Sequence, residues 1–321
     1  MKNNKSNILD IHPFNYFFVI DCFYNILFSI LEYMSISIIP ILRNWCINFV
    51  ENNTNDTISI EYTPFLSLED ALRCIGVQIN YFVDMKRFTN DIIRGIKNGI
   101  PTGVFVDCYS ETIRKDTFQK IHNDHCVLVT GINDTIVTVI EQSSMNTLNY
   151  RQMECPLFEL VQASNGFEEY YIHKERRMGY RYFQVVSSKQ NILLYKKLVS
   201  SYITTFLSNQ EKNMNVRILF GEKVIDYILG INNLESDYAL KKINEIINIF
   251  KLWRYMYWNI QKEVCTSIDC VIKEWSYLRM NIFKKQEGIE VNKNNLSEVM
   301  KKIRSTEKYV QIELYETLRK F

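Results

Sequence analysis

The chain has 321 residues, of which 47% are apolar, and a formal net charge of +2. It is therefore long enough to bury one large core or two ordinary ones. With 10 glycines and 5 prolines, its composition excludes a collagenous or low-complexity disordered protein. No stretch of about 18 uncharged apolar residues occurs, and Asp10 and Asp21 interrupt the apolar N-terminal run, so we expect neither export nor membrane insertion.

The eight cysteines form no CxxC pair and no Cys/His spacing of a zinc site. No Walker A phosphate loop and no Rossmann fingerprint occurs either. We therefore expect a reduced, cytoplasmic protein without a structural metal or an organic cofactor.

Charge divides the chain into two unlike parts. Residues 1–175 carry 13 Lys/Arg and 21 Asp/Glu, a net −8, whereas residues 176–321 carry 25 and 15, a net +10. Together with the change in periodicity along the chain, this asymmetry favours two domains, 1–187 and 188–321. The basic residues of the second part are spread along predicted helices among core Tyr and Trp residues, so we expect no nucleic-acid binding.

Helices are predicted first along the chain. Apolar residues recur at helical spacing over 22–34, and Asp21 stands at the N-cap position. A second helix is predicted to follow Pro40 and to reach Val50. Ser67 and Asp70 resemble a capping box before a third helix, which Gly76 can end.

Strands rich in Val, Ile and Thr then become more frequent, and helices return after residue 187. Before residue 188 we predict strands at 77–83, 102–108, 126–132, 135–142 and 178–187, helix 86–98 ended by Gly99, and a strand with a short helix within 147–162. From 188 onward, helical spacing predicts about five helices, with breaks near Gly230, Ser236 and 287–295. This order is typical of an α+β domain followed by an all-α region.

Cys22 lies on the first turn of the first predicted helix. Unpaired N–H groups and the helix dipole favour a thiolate at this position and lower its pKa. The same N–H groups can bind the oxyanion that forms when sulfur attacks a carbonyl. Cys108 and Cys126, in contrast, lie in apolar strands and are interpreted as packing residues.

Four histidines occur in the chain, and two of them, His122 and His125, stand just before the apolar run CVLVTGI. His125 begins this strand and is the preferred general base. His122, three residues earlier, is interpreted as a loop residue that is solvated or supports the site.

The third catalytic member should orient the base and stabilise its charged form. A five-residue loop at 131–135 would pair His125 with Glu141, whereas a four-residue turn would bring Gln142 nearer. Asp107, at the end of the strand 102–108, is the other candidate acid. Sequence alone leaves this register open.

Three ordered segments carry a family resemblance: DCFYNILFSILEY around Cys22, NGIPTGVFVDCY at 98–109, and HNDHCVLVTGINDTIVTVIEQ at 122–142. Together they resemble the papain-like, peptidase C39-like superfamily, and within it the N-terminal domain of butirosin-biosynthesis protein H type proteins. The match covers roughly residues 10–175. It implies a papain-like cysteine-enzyme domain, with an N-terminal catalytic helix packed on an antiparallel sheet, followed by a helical region.

The resemblance also implies roles for individual residues. Cys22 would be the nucleophile, His125 the base and Glu141 the orienting acid, although the family more often has Asp or Asn at the last position. Papain-like enzymes place a Gln before the nucleophile to complete the oxyanion hole. Tyr16 stands at that offset here, with Asn15 beside it, so one of these side chains or a backbone group would replace it.

Members of this group transfer an acyl group from a carrier-protein phosphopantetheine thioester to an amine in natural-product assembly. A similar enzyme type is the papain-like amide synthase of closthioamide assembly, which uses a diamine. The resemblance therefore implies a cysteine acyltransferase whose partners are an acyl- or peptidyl-carrier protein and a small amine. Two alternatives remain open: a cysteine peptidase or isopeptidase with the same residues, and an inactive scaffold that binds a carrier or peptide.

Overall fold

The chain divides into two compact units. The computed structural model describes residues 7–52, 57–145, 147–174, 179–211, 237–258, 262–291 and 293–318. One unit comprises Met1–Ile38 and Leu72–Ile192, and the other comprises Ile39–Ala71 and Leu193–Phe321. The predicted boundary after residue 187 lies close to the last of these junctions, whereas residues 39–71 group with the later helices rather than with the sheet.

The secondary structure alternates between short strands and helices up to residue 187, and the elements described after it are all helices. The strands are β1 (Asn7–Ile8), β2 (Trp45–Asn52), β3 (Thr57–Pro64), β4 (Val77–Phe82), β5 (Thr102–Asp107), β6 (Asp124–Asn133), β7 (Ile136–Gln142), β8 (Tyr150–Pro156) and β9 (Tyr182–Ser187). The helices are α1 (Cys22–Tyr33), α2 (Ile39–Leu42), α3 (Leu68–Cys74), α4 (Phe88–Lys97), α5 (Leu157–Phe167), α6 (Ile192–Glu211), α7 (Asp237–Tyr257), α8 (Lys262–Gln286) and α9 (Lys293–Leu318). Short 3₁₀ turns occupy Met85–Arg87 and Cys108–Ser110, and a π-helical turn follows α5 at Glu168–Lys174.

The first unit is built on one antiparallel sheet. Its strand order is β4-β9-β5-β6-β7-β8, and β1 adds to β6. Every described pairing between these strands is antiparallel. The predicted α+β class, with helices before and around an antiparallel sheet, is therefore confirmed.

One face of this sheet is an aliphatic core. The alternating valines of β5, β6 and β7 point to it because successive side chains on a strand face opposite sides. Helices α4 and α5 cover this face. The residues that form the core include Val104, Val106, Val127, Val129, Val137 and Val139 from the strands, and Phe88, Ile92, Leu160 and Ala163 from the helices.

Helix α1 packs on the opposite face. The ring of Phe23 stacks on Phe105 with centroids 6.1 Å apart and also contacts Phe183. Phe183 lies over Gly103, where a Cβ atom would come within 2.2 Å of its ring. The glycine therefore allows the aromatic layer beneath α1 to approach the backbone of β5.

The N-terminus of α1 is capped as predicted. Asp21 has extended backbone angles and its Oδ1 accepts a hydrogen bond from the N–H of Tyr24 at 3.3 Å. Residues 25–31 of the helix are all buried, and two of them, Asn25 and Ser29, are polar. Cys22 is its first residue, as the sequence indicated.

The helix predicted after Pro40 is wrong beyond its first turn. Helix α2 ends at Leu42, and residues 45–52 form strand β2, paired in register with β3 from Trp45↔Pro64 to Asn52↔Thr57. The apolar residues of 41–50 fit a helical period and a strand period equally well, so the presence of a pairing partner decides the outcome. Residues 53–56, between the two strands, lie outside the described part.

The other elements predicted before residue 188 are present. The Ser67 hydroxyl accepts a hydrogen bond from the N–H of Asp70 at 3.1 Å, which caps α3. Gly76 and Gly99 have φ angles of +76° and +72° and follow α3 and α4, as expected of helix-ending glycines. The last strand begins at Tyr182, and residue 178 of its predicted range is outside the described residues.

The second unit combines the β2–β3 hairpin with long helices. Helices α7, α8 and α9 pack in sequence, and Trp275 Nε1 of α8 donates a hydrogen bond to Glu307 Oε1 of α9 at 2.6 Å. The predicted break at 287–295 is found between α8 and α9, whereas those at Gly230 and Ser236 fall outside the described residues. None of the described helices combines the length and apolar character needed to cross a bilayer.

Candidate active site

The start of α1 is held in a strained conformation. Ile20 has a φ angle of +58°, a value that is unfavourable for a β-branched residue. The N–H of Asp21 bonds to the carbonyl of Val19 at 2.6 Å. Such strain is often found near functional sites, and here it sets the direction in which the chain enters the helix at Cys22.

The Cys22 thiol is not the acidic group that its helix position predicted. Burial raises its pKa well above the ordinary value, and Cys126, Asp21 and Glu141 add to the increase. The backbone N–H of Cys126 lies within hydrogen-bonding reach of the Cys22 sulfur, and this contact partly opposes the increase in pKa. Although Cys22 is only half-buried, the loss of hydration outweighs the helix dipole, so the pKa shifts opposite to the predicted direction.

His125 and Glu141 form a buried pair. The Nε2 atom of His125 lies 2.7 Å from Glu141 Oε1, and both side chains are excluded from solvent. Glu141 Oε1 also accepts hydrogen bonds from Arg114 Nη1 at 3.0 Å and from the N–H of Gln142 at 2.7 Å. An oxygen that accepts these bonds carries no proton, so we assign the shared proton to Nε2 of His125.

This assignment leaves Nδ1 as the basic nitrogen of His125. Burial lowers the pKa of His125 to about 4. The imidazole is therefore neutral at neutral pH and able to accept a proton.

A β-bulge brings Glu141 to the side of the sheet that His125 occupies. The β6–β7 register shifts between Val129 and Gly131. Beyond the shift, Leu128 lies opposite Ile140, so Glu141 and His125 both face the aliphatic core. Without the extra residue, Glu141 would share the face of Leu128.

Cys22 approaches β6 from the other face, beneath α1. Its sulfur meets the N–H of Cys126, the residue that follows His125. The structure describes no hydrogen bond between the Cys22 thiol and the His125 ring. The Cys22 thiol of α1 therefore lies near the backbone of Cys126, whereas the imidazole is carried by the preceding residue of β6 and is bound to Glu141.

Arg114 connects Glu141 to the surface. Its guanidinium is almost completely buried and holds Asp116 through two hydrogen bonds, Nε to Oδ1 at 3.0 Å and Nη2 to Oδ2 at 3.1 Å. Burial lowers the pKa of Arg114, but the hydrogen bonds and charges of Asp116 and Glu141 outweigh this effect and raise it above its ordinary value. Asp116 in turn accepts the N–H of Met145 at 2.6 Å.

Glu111 was not identified from the sequence and completes the cluster. It is buried, and no described residue donates a hydrogen bond to its carboxyl, whose neighbour is the Glu141 carboxylate. Burial and the charge of Glu141 raise the pKa of Glu111 well above its usual range, and burial raises that of Glu141 to about 7. The two carboxyls therefore share a proton at neutral pH, which we place on Glu111.

The donor atoms of this cluster resemble a metal-ligand set but do not suit a cation. One atom each from Glu111, His125 and Glu141 lie within 4.8 Å of one another, and such groups bind divalent ions elsewhere. Here Arg114 Nη1 is 3.0 Å from Glu141 Oε1, so the carboxylate is already paired with a cationic side chain. The arrangement favours a shared proton over a metal ion.

Asp107, the alternative acid, binds the other histidine. Its Oδ2 lies 2.6 Å from His122 Nδ1, and its Oδ1 accepts the N–H groups of Tyr109 and Asn123. The His122 ring is stacked between Tyr109 and Tyr170, with centroids 4.3 and 3.9 Å away. His122 and Asp107 thus form a second pair, separate from His125.

The remaining candidates occupy structural positions. Gln142 donates its side-chain amide to the carbonyl of Thr147, in the loop between β7 and β8. Asn15 donates Nδ2 to the carbonyl of Tyr150 and accepts its N–H at Oδ1, both at 2.8 Å. Tyr16 is 58% exposed and packs edge-on against Phe14. The oxyanion role expected of Asn15 or Tyr16 stays a prediction.

Arg114 and Glu111 carried no signal that sequence analysis could use. They lie in the polar segment between β5 and β6, whose sequence is typical of a surface loop. Two residues separate them, and the N–H of Arg114 bonds to the carbonyl of Glu111 at 3.2 Å. Only the folding of this segment over the end of the sheet makes them buried neighbours of Glu141.

Comparison with known proteins adds little to the geometry. No family model matches the chain. The double-strand break repair protein MRE11 of rice, in its indica and japonica forms, is 23% identical over 130 residues. This alignment covers 40% of the chain and 18% of the rice proteins, so the chain spans less than a fifth of these relatives. The similarity is too low and too partial to show a family.

Proposed function

We propose that the protein is a papain-like cysteine acyltransferase that forms an amide bond. The observation that carries this proposal is the position of Cys22 at the start of α1, near the backbone of the residue that follows a neutral, carboxylate-bound His125. A thiol and an oriented imidazole form the minimum machinery of covalent acyl transfer.

In the first step, Nδ1 of His125 takes the Cys22 proton. Catalytic hydrogen bonds are often absent or long before substrate binds. Here the thiol and the imidazole lie on opposite faces of β6, so the proton transfer requires a rearrangement that brings Cys22 to His125. Sulfur then attacks a carbonyl carbon of a carrier-bound thioester. A new C–S bond forms, the old C–S bond breaks, and the proton passes from His125 to the departing pantetheine thiol.

In the second step, an amine resolves the acyl-enzyme. Its nitrogen forms a C–N bond with the acyl carbon, the bond to Cys22 breaks, and the amine proton returns to the sulfur through His125. Glu141 stabilises the imidazolium in both steps, and Arg114 keeps Glu141 ionised. Aminolysis of a thioester is downhill, so the reaction needs no nucleotide.

The charge pattern supports a carrier-protein donor. Carrier proteins are usually acidic, and residues 176–321 have a net charge of +10, whereas residues 1–175 have −8. Opposite charge increases the rate of encounter. We therefore propose that an acyl-carrier protein docks on the basic helices and that a small cationic amine or diamine is the acceptor.

The decisive experiment is to incubate the protein with an acyl-pantetheine thioester and to record its intact mass. We expect one acyl adduct that is absent from Cys22→Ala, retained in Cys270→Ala, and discharged by amines. Discharge at the same rate by water alone would indicate a hydrolase instead. The absence of any adduct with a broad set of acyl donors would contradict the proposal and favour a binding scaffold.

The same assay separates the two histidines. If His125 is the base, His125→Asn should reduce the acylation rate at least about 100-fold, whereas His122→Asn should acylate at nearly the rate of the unmodified protein. The reverse order would assign the first step to the His122–Asp107 pair.

A further inference from the structure

Tyr150 is a buried tyrosine whose hydroxyl has no partner. It is 2% exposed, and no hydrogen bond reaches its Oη among the residues that the structure describes. A buried hydroxyl without a partner lowers stability, because it has lost its hydration without gaining a hydrogen bond. Native proteins satisfy nearly all such groups, so an exception calls for an explanation.

The sheet register places Tyr150 on the same face as Cys22. Leu128 of β6 lies opposite Ile140 of β7, which lies opposite Gln152 of β8. Side chains two residues away share the face of these three, so Cys126 and Tyr150 also point to this side. It is the face that α1 covers, and the Cys22 sulfur lies at the Cys126 N–H.

Electrostatics agree with this position. Burial raises the pKa of Tyr150 well above its usual range, and after burial the Cys22 thiolate contributes most to the increase. The phenol is therefore fully protonated near neutral pH and remains a hydrogen-bond donor.

The backbone of Tyr150 is also fixed in position. Asn15 bonds to both its N–H and its carbonyl, each at 2.8 Å. This clamp joins the segment that leads into α1 to the start of β8. A rigid support of this kind is what a preorganised donor requires, because its dipole must point at the developing charge before reaction.

We propose that the Tyr150 hydroxyl is an oxyanion-hole donor for the acyl transfer at Cys22. The inference rests on the proposed function. When sulfur attacks the thioester carbon, the C–S bond forms and the carbonyl π electrons move to oxygen. The Tyr150 proton stays on the phenol and is donated as a hydrogen bond to this oxyanion. The hydroxyl then has a partner in the transition state that it lacks in the free protein.

The substitution Tyr150→Phe should affect stability and activity differently. Removing the hydroxyl in Tyr150→Phe keeps the ring in place and deletes an unsatisfied polar group, so the thermal midpoint should stay constant or rise. Loss of one oxyanion donor should reduce the acylation rate about 100-fold at saturating acyl-pantetheine. The concentration of acyl donor that gives half the maximal rate should change little.

Tyr182→Phe is the matched control. Tyr182 is equally buried, but its hydroxyl donates a hydrogen bond to Asp91 Oδ2 at 2.7 Å on the aliphatic side of the sheet. Its loss should lower the thermal midpoint and leave the acylation rate per folded molecule unchanged. The two substitutions delete the same atom and should have opposite consequences.

Alkylation of Cys22 by iodoacetamide distinguishes an oxyanion donor from a group that only tunes the thiol. This reaction forms no oxyanion, so Tyr150→Phe should alkylate at the rate of the unmodified protein while acylating slowly. An equal loss in both reactions would overturn the oxyanion assignment, as would acylation at an unchanged rate. If the unmodified protein forms no adduct with Cys22 at all, it is the proposed function that fails.

Discussion

Arg114 Nη1 donates a hydrogen bond to Glu141 Oε1 at 3.0 Å, and both side chains are almost completely buried. The same oxygen binds the Nε2–H of His125. A buried carboxylate remains ionised only when charge or hydrogen bonds compensate for the lost hydration. Arg114 keeps Glu141 ionised, and the ionised Glu141 holds the Nε2–H of His125. The tautomer of His125 therefore depends on an arginine that does not contact it.

Substitution of Arg114 by Met should be strongly destabilising. It leaves the ionised Glu141 and Asp116 without their cation, and breaking a buried ion pair in this way costs about 3–5 kcal/mol. Chemical denaturation measures the loss. Arg254→Met, which breaks an exposed ion pair with Asp269, is the control and should cost less than about 1 kcal/mol. Similar losses in the two variants would show that Arg114 is not a structural cation.

Glu111 should tolerate Gln and not Ala. If Glu111 carries the shared proton, the amide of Glu111→Gln can donate to Glu141 Oε2 in its place, with a change in stability below about 1 kcal/mol. Glu111→Ala should lose more, because it leaves a cavity and an unpaired oxygen on Glu141.

Glu141→Gln provides the contrast, since it removes the carboxylate that Arg114 and His125 share. Its stability and its acylation rate should both fall. Equal tolerance of Gln at both positions would contradict the placement of the proton on Glu111.

Cys22 should be a slow thiol in the absence of substrate. Because burial raises its pKa, the thiolate fraction at neutral pH is small and alkylation should be slow. Peptide mass spectrometry after brief iodoacetamide treatment should show Cys22 modified at least about tenfold more slowly than the exposed Cys270. The rate at Cys22 should continue to rise with pH into the alkaline range. Rapid labelling with a plateau near neutrality would instead indicate a preformed thiolate.

The buried Glu307 predicts a pH-dependent stability in the second unit. Burial raises its pKa to about 8, and the hydrogen bond from Trp275 only partly opposes this. Since the folded value lies above the unfolded one, the folded state holds a proton that the unfolded chain has lost. Its stabilising contribution is complete below about pH 4.5 and is lost as the pH rises through about 8.

Glu307→Gln removes this titration and keeps an oxygen for the Trp275 indole. Relative to this variant, the original protein should lose stability by up to about 1.4 kcal/mol per pH unit between pH 5 and 8. Denaturation at pH 5 and pH 7 measures the difference. A constant difference between the two proteins would show that Glu307 does not retain its proton.

Local chemistry allowed much of the first unit to be predicted. The cap at Asp21, the start of α1 at Cys22, and the helix-ending positions of Gly76 and Gly99 depend on hydrogen bonds and φ angles within a few residues. Such features can be recognised in a single sequence. The failure at 45–50 has the opposite cause, since only pairing with β3 makes this segment a strand.

The sequence by itself determined the α+β class, the helix that begins at Cys22 and the strand on which His125 lies, because periodicity and caps are local properties. Tertiary structure decided which side chains contact His125 and Glu141. The bulge between Val129 and Gly131 turns Glu141 toward His125, and a polar segment that resembles a surface loop folds in to supply Arg114 and Glu111. Burial also reversed the expected shift of the thiol pKa, since hydration depends on what covers a residue and not on the helix that carries it.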